Sequence, residues 1–162
     1  MKTLATILAS MVVTSGVLWA QTDGSSVTQS VTIEVKPITK MSVSGDPGPL
    51  IINASETTSE PLSIRDDKTT YSLTTNLDMM KIVASINDKM PDGTKLMVSL
   101  ASSKGQSAGI VDLSDATSPV DVVTGIGRCS QNNETISYTF AATEGVEDVP
   151  LQSRVVVLTL TD

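Results

Sequence analysis

The stretch NDKMPDGTKL, Asn87 to Leu96, gathers two aspartates, an asparagine and a glycine within a few residues, the raw material of a calcium loop. A loop of the EF-hand type needs oxygen ligands at alternate positions and a glutamate at the twelfth. Counting from Asp88, Met90 takes the second ligand position and Leu100 falls close to where the glutamate should stand. The stretch therefore reads as a corner. In MPDGT, Pro91 presets the backbone angle, Asp92 bonds its own backbone, and Gly93 takes a left-handed conformation without steric cost. Flanked by two alternating runs, it predicts a β-hairpin.

Other chemistry is scarce. The chain has no histidine, which removes Ser-His-Asp and Cys-His catalysis and the common zinc sites. Cys129 is the only cysteine, so no intramolecular disulfide forms; it is either a small buried apolar residue or a thiol that pairs between molecules. Arg128 beside it points to the opposite face if the segment is a strand, and the amide-rich Gln131 to Asn133 that follows predicts a hairpin turn. Carboxylates remain as candidates: Asp66 with Asp67; Asp112 with Asp115 and Asp121; Glu144 with Glu147 and Asp148. Two facing acids suffice for glycoside hydrolysis, and oxygen-only clusters between loops suit calcium. Neither use is specified by the sequence: no catalytic or cofactor-binding residue is assigned, and metal ligands stay open. Asn53-Ala54-Ser55 and Asn133-Glu134-Thr135 match the short N-glycosylation pattern.

The elements that must carry these residues are strands. Met1-Lys2, an apolar run from Leu4 to Val13 and a small residue at Ala20 have the three parts of a secretory signal peptide, with cleavage expected after Ala20. The apolar run is shorter than the roughly 20 residues of a membrane span. Cleavage takes Lys2 from 11 basic residues set against 18 acidic ones, and it removes Trp19. An acidic mature chain of roughly 140 residues is one ordinary domain. It is poorly suited to nucleic acid or to anionic lipid.

Residues 21–26, QTDGSS, read as a flexible polar arm, and residues 27–162 as a single β-sandwich domain. Val27, Val31, Ile33 and Val35 share one parity, a strand pattern that Pro37 ends. Such a first strand pairs with its own sheet or with the open edge of a neighbour. Tyr71, Leu73 and Thr75, then Ile82, Ala84 and Ile86, then Leu96, Val98 and Leu100, and later Ile136, Tyr138 and Phe140 alternate in the same way. The aromatics Tyr71, Tyr138 and Phe140 thus sit at core parity, which leaves no carbohydrate-stacking platform and no aromatic girdle for an outer-membrane barrel. Short strands separated by turn chemistry, without a helical period, predict an all-β antiparallel sandwich of eight or nine strands.

The runs VTQSVTIEVKPITKMSVSGDPGPLIINA, YSLTTN, KIVASIN, MPDGTKLMVSLA, AGIVDLS, DVVTGI, ISYTFAAT and SRVVVLTLTD resemble a group of small, functionally uncharacterised secreted bacterial β-sandwich proteins. More loosely, the chain is similar to fimbrial or pilus-type subunits, although it lacks the disulfide of chaperone-assembled pilins. That resemblance implies an Ig-like sandwich, strand exchange and a place outside the cell, at its surface or in the periplasm. The expectation is an exported non-enzymatic surface, matrix or filament subunit. A calcium-dependent adhesin or ligand-binding module and a carboxylate-based hydrolase are the alternatives.

Overall fold

The computed structural model describes residues 28–52, 62–143, 146 and 149–162. The signal-peptide segment, the polar arm at 21–26, Val27, the Asn53 glycosylation motif and the cluster of Glu144, Glu147 and Asp148 lie outside the described residues. The chain divides after Glu34. Residues 28–34 carry no strand, and all strands described below belong to the unit from Val35 to Asp162.

Nine strands and no helix are found among the described residues. They are β1 (Thr39–Ser44), β2 (Leu62–Thr75), β3 (Met80–Ile86), β4 (Thr94–Leu100), β5 (Gln106–Ser107), β6 (Val111–Asp112), β7 (Val120–Ile126), β8 (Cys129–Ala142) and β9 (Val156–Thr161). One antiparallel sheet has the order β1-β2-β8-β4-β6 and the other β5-β7-β3-β9. The fold is all-β and sandwich-like, as the alternation predicts. One core joins the two sheets: Tyr71, Leu73, Leu96, Val98, Leu100 and Ile136 from the first meet Met80, Ile82, Ala84, Ile86, Val122 and Ile126 from the second. These are the positions of one parity on each strand, because successive side chains of a strand face opposite ways. Tyr71 is fully buried and its hydroxyl donates to the Ala101 carbonyl at 2.6 Å, so its polar end has a partner. Phe140 is only half-buried, near the end of β8.

Three local readings change. The MPDGT corner forms, with Gly93 at φ +78° and the Thr94 N–H donating to the Pro91 carbonyl at 3.0 Å. It joins β3 of one sheet to β4 of the other, so it is a crossing between layers and not a hairpin. Turn chemistry is local, whereas the choice of pairing partner is set by distant strands. The amides at 131–133 make no hairpin either. They lie within the continuous β8, where the register shifts between Tyr71 and Leu73 of β2. Asn133 takes φ +56°, a left-handed conformation that asparagine tolerates, and its N–H is met by Ser72 Oγ at 3.1 Å.

The third change concerns the expected strand from Val27 to Val35. Its described residues, 28–35, are in no strand, and Val31, Ile33 and Val35 are 73%, 82% and 79% exposed. Alternation supplies two faces, but a strand also needs an edge to bond to. No described strand of this chain is bonded to this segment.

Candidate functional site

The acids lie in three separate places. Asp66 is buried in β2 beside a register shift, where its carboxylate accepts the Lys68 backbone N–H at 3.0 Å and lies 3.7 Å from the Lys68 ammonium. Asp67, exposed, takes Arg65 Nε at 2.7 Å, while another guanidinium nitrogen of Arg65 donates to Ser137 Oγ at 2.8 Å. Asp121 lies in β7, 3.6 Å from Lys81.

Asp112 and Asp115 do share a location, a shallow depression of about 340 Å³ lined also by Ala116 and Val120. Each carboxylate already has a cation: Lys95 stands 3.5 Å from Asp112, and Lys89 stands 3.1 Å from Asp115. The Ser114 hydroxyl and backbone N–H both donate to Asp112 Oδ1, and with Lys95 they hold its carboxyl below the ordinary value of 3.8. A general acid of the glycosidase kind needs the opposite shift, upward. Among the described residues no group of three or more cysteine, aspartate or glutamate side chains is arranged to hold a metal ion.

Cys129 begins β8 opposite Thr75 and is half-buried. Burial pushes its thiol above the ordinary value of 9.0, away from the thiolate form that reacts. Arg128 does not offset this, since its guanidinium is drawn to Asp78 at 3.0 Å.

What stands out is an edge. A sandwich of two open sheets has four edge strands, here β6 and β5 on one side and β1 and β9 on the other. The first side is short and bridged by the chain, for only residues 108–110 separate β5 from β6. Leu113, at the end of that crossing, is fully buried and donates its N–H to the Leu96 carbonyl at 2.8 Å.

The second side is different. Among the described residues β1 bonds only to β2, and β9 only to β3. Met41 of β1 and Val156, Leu158 and Leu160 of β9 pack against the core yet remain half-buried. Val156, Leu158 and Leu160 alternate with Val157 and Thr159, so β9 presents one apolar row to an incompletely covered core and an unpaired backbone edge beside it. Exposed edges of this kind template pairing with another strand. The alternation of VVLTLT was open to inspection in the sequence. That its strand would lie at an edge was not, because edge position depends on which strand β3 pairs with on its other side.

Searches for related proteins return no matching family model, no matching curated protein and no matching solved structure. The class that can be stated is accordingly structural: an all-β chain of two antiparallel sheets, with β1 and β9 as edge strands on one side among the described residues.

Proposed function

We propose that the chain is an exported, non-enzymatic structural protein with an Ig-like sandwich, a surface, matrix or filament subunit of pilus-like kind. Its copies associate when the segment Val27–Val35 of one copy adds as a strand to the β1/β9 side of the next. One observation carries the reading. Val31, Ile33 and Val35 are exposed and in no strand, while the edge strands β1 and β9 keep half-buried apolar residues, Met41, Val156, Leu158 and Leu160.

The two features are complementary. Val31, Ile33 and Val35 share one parity, as a strand entering a core must, and β9 offers Val156, Leu158 and Leu160 on its inward parity. Main-chain bonds to the free edge supply affinity, and burial of the alternate side chains supplies selectivity. Each fully buried Val or Ile side chain contributes about 1.5–3 kcal/mol, which is set against the several kcal/mol that association itself costs.

Light scattering on the mature chain from residue 21 onward tests this. Mean mass is expected to rise with concentration, and removal of residues 21–36 to hold it at that of one copy. A full-length chain that stays monomeric across the whole concentration range contradicts the proposal.

A further inference from the structure

The base of the arm is held by a single side chain. Beyond the β1/β2 ladder, the Asn76 backbone N–H donates to the Ile38 carbonyl at 3.2 Å. In an ordinary ladder the Asn76 carbonyl would take the Ile38 N–H in return. Here the side chain does so: Asn76 Oδ1 accepts the Ile38 N–H at 2.7 Å, and Asn76 Nδ2 donates to the Lys36 carbonyl at 2.9 Å. Lys36, Pro37 and Ile38 therefore continue the extended course of β1, their outer groups fixed toward β2.

This has a topological effect. The apolar residues of the arm end at Val35 and β1 begins at Thr39. For residues 31–35 to pair with the edge of their own chain, antiparallel to β1, the backbone must reverse within Lys36–Ile38. Any such reversal turns the Lys36 carbonyl or the Ile38 N–H away from Asn76. Pro37 opposes it further. Neighbouring residues of an extended chain point to opposite sides, so position 37 faces the unpaired edge of β1, where proline has no N–H to give.

Resting on the association proposed above, we propose that Asn76 is a positioning residue that bars residues 28–35, the arm, from folding back onto the unpaired edge of their own chain, so that a second copy takes that edge. Without the clamp, self-insertion competes with association.

The experiment uses the full mature chain and two readouts, mass by light scattering and amide hydrogen exchange at high dilution. For Asn76→Ala, association is expected to weaken about tenfold, the loss of two modest hydrogen bonds from the extended base. In the dilute variant residues 31–35 gain exchange protection that the dilute parent chain lacks. A role in stability alone lowers the melting temperature and leaves those amides unprotected. Asn76→Asp keeps the acceptor for Ile38 and loses the donor to Lys36, so it is expected to fall between the two; it also serves if Asn76→Ala does not fold. Unchanged association, or unprotected residues 31–35 in the dilute variants, overturns the inference. A parent chain that never associates overturns the proposed function instead, and the exchange readout still decides whether the clamp bars self-insertion.

Discussion

Replacing Ile33 by aspartate is expected to leave the melting temperature of the dilute chain from residue 21 onward unchanged and to abolish the proposed association. The side chain is 82% exposed and lies in no strand, so the folded monomer loses no burial; surface changes of this kind stay within about 0.5 kcal/mol. In the proposed assembled state the same position is expected to enter a core. There the substitution forfeits about 1.5–3 kcal/mol of apolar burial and adds the cost of a carboxylate without a partner. Together these weaken association by about a hundredfold or more. Thermal melts on dilute protein and light scattering on concentrated protein measure the two halves separately. A lowered melting temperature would mean that Ile33 packs within its own chain.

Leu100→Ala produces the reverse pattern. Leu100 is fully buried in β4, opposite Ile136 of β8 and within the core shared by both sheets. Truncation removes its transfer free energy and leaves a cavity, together costing about 2–5 kcal/mol of the stability of the folded chain. For a domain of this size that is a large share of the total. Denaturant titration is expected to show a lower midpoint with an unchanged slope, since the surface exposed on unfolding hardly alters. Association is expected to persist wherever the variant is folded, because Leu100 lies in β4, which is not an edge strand. A loss below 1 kcal/mol would show that the core is not packed as described.

The contrast between Ile33 and Leu100 also marks where the sequence speaks plainly. Tyr71, Leu73 and Thr75 are buried as their parity predicts, and so are Leu96, Val98 and Leu100, because a strand with one face in the core has little freedom in register. Val31, Ile33 and Val35 carry the same pattern and are exposed. Parity says which side chains want a core and leaves open whose core it is.

The start of β2 shows the converse. Arg65, Asp66, Asp67 and Lys68 look like loop, yet they run inside a 14-residue strand. Asp66 is tolerated there because the register shift brings the Lys68 N–H onto its carboxylate. The candidate edge was legible only in part. The apolar row of β9 can be read from VVLTLT, whereas its edge position follows from the strand order β5-β7-β3-β9, which no local pattern dictates. Asn76 was hidden for a similar reason. It follows a strand like many turn residues, and only the pairing of β1 with β2 brings Lys36 and Ile38 within its reach.

The account turns on two segments far apart in sequence becoming neighbours in different copies. Amide hydrogen exchange on the mature chain, followed from dilute to concentrated solution, reads both at once. Residues 28–35 should gain protection together with alternate amides of Val156–Thr161, those that face away from β3, and in proportion to the rise in mass. Protection that appears instead at β5 or β6, or at the arm without β9, would contradict the account.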